Sequence, residues 1–231
     1  MIEVAGKKIE AVVFDFDGTL YENGFFFKFI FLVYNILHFK IFFSHRKIIN
    51  DLRGNDFGTP ENYSRRVFGE MAAKTGKSLE SIQNWYYKIF KRTFCVILKK
   101  YCRPRKNFND LCIYLKKNQI RTAIFSDYGF IGSRLEALEI ELDCFDLLVS
   151  GETEGVLKPS SRPLLKIAKH FGIEPERMLV IGDRADTDGI AAANAGMNYY
   201  IIRKRSAGGN IVSWNRLLKI LMNDKTDKET A

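Results

Sequence analysis

The chain has 231 residues, 46% hydrophobic and 27% charged, the composition of an ordinary soluble protein with enough length to bury a core. Its four cysteines include no Cys-x-x-Cys pair and no histidine at zinc-ligand spacing, which favours reduced thiols and a cytoplasmic setting over a disulfide scaffold. Residues 1–10 carry Lys7, Lys8 and Glu10 without an apolar h-region, so no signal peptide is expected there.

The net charge of +9 is concentrated. Residues 21–105 hold 16 Lys/Arg against 6 Asp/Glu, together with 19 of the 31 aromatic residues, whereas the rest of the chain holds 20 against 21. Two parts of different character are thus joined, the second inserted into the first.

In chain order, Val12, Val13 and Phe14 form a short apolar run ended by turn chemistry, which predicts a buried strand. Alternation directs Asp15 and Asp17 to the same side, and Gly18 breaks the strand. Both carboxylates therefore stand at its carboxyl end, where open α/β sheets bind ligands. Alone, the pair reads equally well as a strand capped by solvated aspartates.

Residues 25–43 are apolar on almost every side, with Lys28, Asn35, His38 and Lys40 as interruptions. A membrane span is not supported: the uncharged run over 29–39 falls well short of the roughly 18–20 residues required. A single crossing would also separate Asp15 from the later polar clusters. The segment is expected to form one or two helices buried in a small bundle, with an interfacial or partner-binding helix as the other reading. Turns follow at Gly54, Gly58-Thr59-Pro60 and Gly76-Lys77-Ser78. Ile82, Trp85, Tyr86, Ile89 and Phe90 then repeat as one face of an amphipathic helix. No strand signal interrupts residues 21–105, so this part is predicted to be all-helical.

Beyond Pro104 the pattern alternates. Helices are expected around Phe108–Leu115, after Gly129, over 163–171, over 190–195 and over 210–222, with a frayed tail from Asn223. Between them, strands are expected over 121–125, 145–150, 178–181 and 199–202. Such alternation predicts an α/β fold, a doubly wound parallel sheet covered on both faces, with the helical part inserted as a cap.

Three of these strands end in polar clusters: Asp15/Asp17, Ser126/Asp127 and Asp183/Asp186/Asp188, and Lys158 lies in a loop after a fourth. The carboxyl ends converge on one rim of the sheet. Aspartates crowded there repel one another, and a divalent cation with hard oxygen ligands, Mg²⁺ above all, resolves the repulsion. Lys158 adds a charge for an anion and Ser126 a hydroxyl. Carboxylate, metal, lysine and hydroxyl in one pocket suit phosphoryl transfer.

Asp15-Phe16-Asp17-Gly18-Thr19-Leu20, Phe125-Ser126-Asp127, Leu157-Lys158-Pro159 and Gly182-Asp183-Arg184-Ala185-Asp186-Thr187-Asp188 resemble, in order, the four motifs of the haloacid dehalogenase superfamily. The likeness is to its phosphatase branch, with phosphoglycolate phosphatases and β-phosphoglucomutases. It covers residues 8–20 and 106–203; residues 21–105 match only by position, as the helical cap inserted between the first two motifs. The resemblance implies a catalytic core of residues 1–20 and 106–231 with a Rossmann-like sheet. It implies Asp15 as nucleophile and Asp17 as acid/base. Mg²⁺ would be held by Asp15, the Asp17 backbone carbonyl, Asp183 and Asp188. Ser126 and Lys158 would bind the phosphoryl oxygens, alongside Asp127 and the Gly18–Thr19 turn. Dehalogenases of the superfamily lack the second aspartate, so Asp17 argues for phosphate chemistry. Two positions depart from the usual pattern. Asp127 stands where many members have Asn, and acids lie at both +3 and +5 from Asp183. Asp188 is favoured because it fits a GDRxxTD variant, with Asp186 as its rival.

The expected activity is hydrolysis of a small phosphorylated metabolite; a phosphomutase, or a membrane-peripheral non-catalytic phospholigand binder, is the alternative. The basic cap reads as a solvated face, as a pocket for a multiply anionic substrate, or as a weak dock on an anionic membrane surface. No nucleic-acid-binding motif is found, so no nucleic acid is expected as partner.

Overall fold

The structure, a computed structural model, describes residues 2–4 and 6–222; the tail from Asn223 lies outside the described residues. A short antiparallel hairpin, β1 (Ile2–Val4) with β2 (Lys7–Ile9), leads into the strand β3 (Ala11–Phe14). The inserted helices follow: α1 (Phe25–Tyr34), α2 (Phe39–Asp51), α3 (Pro60–Thr75), α4 (Leu79–Asn84), a π-helical stretch (Trp85–Phe90) and α5 (Lys91–Tyr101). The chain then alternates through α6 (Phe108–Lys117), β4 (Arg121–Ser126), α7 (Ile131–Ala137), β5 (Leu147–Ser150), α8 (Gly151–Glu154), α9 (Arg162–Phe171) and β6 (Met178–Gly182). It ends in a second π-helical turn (Ala185–Gly189), α10 (Ile190–Asn194), β7 (Asn198–Ile202), β8 (Ile211–Val212) and α11 (Trp214–Met222).

Six strands pair in parallel in the order β5-β4-β3-β6-β7-β8. β3 lies between β4 and β6, with Phe14 level with Ile124 on one side and Ile181 on the other. All four of its residues are buried, as expected of a strand covered on both faces. The period of two divides them: Val12 and Phe14 pack with Leu111 of α6 and Leu135 of α7, while Ala11 and Val13 pack with Leu164 of α9 and Ala191 of α10. The fold is thus the expected doubly wound α/β sheet. The connection reverses direction between β3 and β6, and in such sheets that switch point opens a crevice at the carboxyl ends.

Two local expectations need correction. The apolar pattern predicts one helix over 210–222, but Ile211 and Val212 instead extend the sheet beside Ile201 and Ile202, and the helix starts at Trp214. Gly208 and Gly209, both at positive φ, turn the chain back, and the β-branched pair that follows suits a sheet edge. Residues 25–43 do form two helices, bent by 69° at their junction, but they are not buried as a whole. Phe31, Ile41 and Phe42 face inward, while most other apolar side chains of the segment are exposed.

Turn chemistry sets the other cap helices. Thr59 accepts from the Asn62 amide at the start of α3, Pro60 occupies its first turn, and Gly76 at φ 68° ends it. The cap interior is largely aromatic: Phe31 meets Phe94 edge-on at 4.9 Å, and His45 lies among the rings of Trp85, Tyr86 and Phe90. His45 is buried and its Nδ1 has no hydrogen-bond partner. Burial, with a lesser contribution from the Arg46 charge, pushes its pKa down from 6.5 to about 3. The unfolded chain therefore binds a proton that the folded chain refuses, and stability falls as pH drops from about 6.5 toward 3. Between pH 7 and pH 5 this residue is expected to cost about 2 kcal/mol of stability. His45→Phe should remove that part of the acid sensitivity in urea titrations at the two pH values; an unchanged loss in the variant would contradict it.

Candidate active site

Asp15 is the first residue after β3, its amide still in the ladder through a 2.8 Å bond to the Ile181 carbonyl. Its two carboxylate oxygens accept separately, Oδ2 from the Thr19 hydroxyl at 2.9 Å and Oδ1 from Lys158 Nζ at 2.6 Å. Lys158 Nζ also donates to Asp188 Oδ1 at 2.8 Å, and the Lys158 amide donates to Asp127 Oδ1 at 3.0 Å. Asp188 Oδ2 accepts from the Arg184 amide at 3.0 Å. Carboxylate oxygens of Asp15, Asp183 and Asp188 lie within 4.8 Å of one another.

Gly18 makes this packing feasible. Its φ of +89° belongs to the left-handed region, and a Cβ there would lie 2.3 Å from Asp183 Oδ2. Arg105, where the chain returns from the cap, secures the same turn by donating through Nη2 to the Gly18 carbonyl and through Nε to the Thr19 carbonyl, both at 2.8 Å. Tyr21 and Pro104 pair as an antiparallel bridge, so the two connections to the cap run side by side.

The second carboxylate has different surroundings. Asp17 Oδ1 accepts from the Tyr21 hydroxyl at 2.7 Å, and Oδ2 is ion-paired to Arg134 Nη2. Arg134 is fully buried, its guanidinium 3.7 Å from the centre of the Phe16 ring, and its Nη1 donates to Ser126 Oγ at 3.0 Å. The Ser126 hydroxyl accepts from Arg134 and keeps its own proton to donate.

The electrostatics follow from burial. Burial alone drives the Asp15 carboxyl well above the usual range; Lys158 opposes this, while Asp188, Asp183 and Asp17 reinforce it. For Lys158 burial disfavours the charge, but Asp15, Asp188 and Asp127 more than offset it, so the ammonium is held protonated. Burial and then the Asp188 charge push Asp183 up to about 6. An arrangement with more buried carboxylates than cations suits a hard divalent ion, and the Asp15, Asp183 and Asp188 donor set fits Mg²⁺.

The expected residues are therefore brought together at one rim, with three qualifications. Asp186 is exposed and paired with Arg184 and Arg53, leaving Asp188 in the cluster. Thr19 is turned inward: its hydroxyl is on Asp15 and its amide bonds the Phe16 carbonyl, so it orients Asp15 and is not placed to contact a phosphate. Ser126 is buried behind Arg134 and is not among the residues lining the cleft. The cleft, of about 580 Å³, opens between the acidic cluster and the cap, whose Phe27, Phe31, Lys28, Arg46 and Arg53 contribute to its wall.

Sequence reasoning missed Arg134, Tyr21 and Arg105. Arg134 had a usable signal: it occupies an apolar-stripe position among Ile131, Leu135 and Leu138, where a charge implies a buried partner.

A sequence model of the haloacid dehalogenase-like hydrolase family matches residues 9–196. The chain belongs to that family. It is 27% identical over 196 residues to a phosphoglycolate phosphatase of Aquifex aeolicus, covering 81% of this chain and 82% of that protein. It is 33% identical over 98 residues to a glyceraldehyde 3-phosphate phosphatase of Pyrococcus furiosus, covering 42% and 41%. In fold it is similar to a 2-haloacid dehalogenase of Pseudomonas syringae, with a TM-score of 0.60 at 15% identity over 92% of this chain and 97% of that one.

Two substitutions probe the geometry. Gly18→Ala should strain the left-handed turn and displace Asp183, destabilising the fold by about 1–3 kcal/mol in urea titrations. Arg134→Lys keeps the charge but cannot hold Asp17 and Ser126 together, and should lower kcat roughly 10–100-fold with KM little changed. An unchanged kcat would remove Arg134 from the positioning of Asp17.

Proposed function

We propose that the chain is a Mg²⁺-dependent phosphatase that hydrolyses a small phosphomonoester through an aspartyl-phosphate on Asp15. One observation carries the reading: two carboxylates of a single turn are held for different tasks, Asp15 by Lys158 and Thr19, Asp17 by Arg134 and Tyr21. Phosphatase names among the curated relatives support the substrate class, and the second aspartate supports phosphate over halide chemistry.

In this reading an Asp15 carboxylate oxygen attacks phosphorus, forming an O–P bond as the bond to the leaving oxygen breaks. Asp17, after taking up a proton from solvent, gives it to that oxygen, then takes one from a water that attacks the phosphorus and releases Asp15. Lys158 and the Asp127 and Gly18 backbone amides hold the phosphoryl oxygens, while Ser126, behind Arg134, fixes that guanidinium against Asp17. Asp15, Asp183 and Asp188, with the Asp17 backbone carbonyl, would hold Mg²⁺, which when bound draws charge from the phosphoryl oxygens.

Chemistry is assigned to residues 1–20 and 106–231, and substrate choice to the cap over 21–105. The cap reaches the lysine loop directly: the Gly54 amide donates to the Lys158 carbonyl at 3.1 Å and the Phe57 amide to the Gly155 carbonyl at 2.9 Å. Cap position and Lys158 position are thereby coupled.

The purified protein should release inorganic phosphate from a generic aryl phosphate. Activity should vanish with EDTA and return with Mg²⁺, and Asp15→Asn should lower kcat by at least ~1,000-fold. Activity that survives either treatment, or phosphoryl transfer between sugar hydroxyls without phosphate release, would overturn the proposal.

A further inference from the structure

The outer face of the α1–α2 elbow has no role in the chemistry above. Among the described residues, nine of the seventeen exposed large hydrophobic side chains fall between Phe25 and Phe43. Phe25, Phe29 and Val33 form a stripe along α1, and Ile36 and Leu37 cap the bend, with Phe25 86% and Leu37 89% exposed. With about 150–250 Å² per large side chain, the face leaves on the order of 1,000 Å² of apolar surface in water, more than a soluble monomer normally shows. No described element covers it. The opposite side of α1 carries Phe27 and Phe31 into the cap core, so the helix is apolar all round while lying at the surface.

Charge identifies the occupant. No carboxylate occurs between Glu22 and Asp51, and Lys28, Lys40 and Lys47 are exposed within that interval. The end of α5 lies alongside, placed by the Phe26–Tyr101 ring contact and the 3.2 Å Tyr34–Tyr101 hydroxyl pair, and it adds exposed Lys99 and Lys100. A second copy meeting this face symmetrically would bring lysines against lysines with no acid to pair them. Apolar side chains accompanied by exposed lysines on the same helices and on the end of α5, with tyrosines at the border, match a lipid surface bearing negative headgroups. A crossing is not indicated, because no single helix in the described residues is long and apolar enough to span a membrane.

We infer that the α1–α2 elbow docks the protein on an anionic membrane surface, inserting Phe25, Phe29, Ile36 and Leu37 at the headgroup boundary. Lys28 lines the same cleft as Asp15, so the docking helix is also a wall of the proposed active site.

The full chain is sedimented with vesicles of phosphatidylcholine alone or with one-third phosphatidylglycerol. Binding is expected only with the anionic vesicles and should weaken as salt is raised. Phe29→Ser with Leu37→Ser should reduce it at least about tenfold while leaving aryl phosphate hydrolysis unchanged. Leu37→Trp offers a second readout, since its fluorescence should be quenched by brominated lipid chains while buried Trp85 and Trp214 are not. Asp15→Asn should bind as the wild type does, which separates this inference from the catalytic one. Failure to bind anionic vesicles, equal binding by the double variant, absence of Leu37→Trp quenching, or a dimer that the double variant dissociates would each overturn it.

Discussion

Lys158 Nζ stands between Asp15 and Asp188, 2.6 and 2.8 Å from their oxygens, with Asp183 close enough to share a cation with both. One ammonium does not neutralise three clustered carboxylates, two of them buried and Asp183 partly so, and this imbalance shapes the rest of the site. The sheet brings the groups together because β3 and β6 are neighbours at the switch point and end side by side. Glycines supply the room: a Cβ on Gly18 would strike Asp183, and one on Gly182 would lie 2.4 Å from the Asp188 side chain. Buried negative charge of this kind is tolerated where a divalent ion completes the site.

Against that crowded cluster, Asp17 is held apart. Its partners come from outside the rim: Tyr21 from the first connection to the cap, Arg134 from α7. The result is two carboxylates two residues apart with unlike environments, as separate catalytic duties require. The cap is tied to both sides of this arrangement. Arg105 clasps the Gly18–Thr19 turn from the returning connection, and the loop at Gly54 is hydrogen-bonded to the backbone of Lys158. Movement of the cap is therefore felt by the residues that would hold the phosphate.

Much of this was legible in the amino-acid order. The central strands are apolar runs ended by glycine and aspartate, so their positions and the convergence of Asp15, Lys158, Asp183 and Asp188 followed from short-range pattern and sheet topology. Arg134 was not legible as a partner of Asp17, since the two lie 117 residues apart and meet only through tertiary packing. Residues 25–43 illustrate a different limit. Their hydrophobicity predicted helices, but hydrophobicity does not distinguish a face buried in the bundle from one left for another surface. His45 escaped notice for a similar reason, being polar in sequence and enclosed by aromatic rings only in the fold. The two-residue strand Ile211–Val212 is too short for any periodic signal.

The account rests on Asp15 as the atom donor to phosphorus, and mass mapping tests that directly. Asp17→Asn, incubated with Mg²⁺ and an aryl phosphate and quenched in acid, slows breakdown of the intermediate. The peptide containing Asp15 should then carry the added mass of one phosphoryl group, absent from the Asp15→Asn protein. A phosphoryl group found on another residue, or steady hydrolysis by Asp15→Asn with no adduct at Asp15 in either variant, would contradict the account.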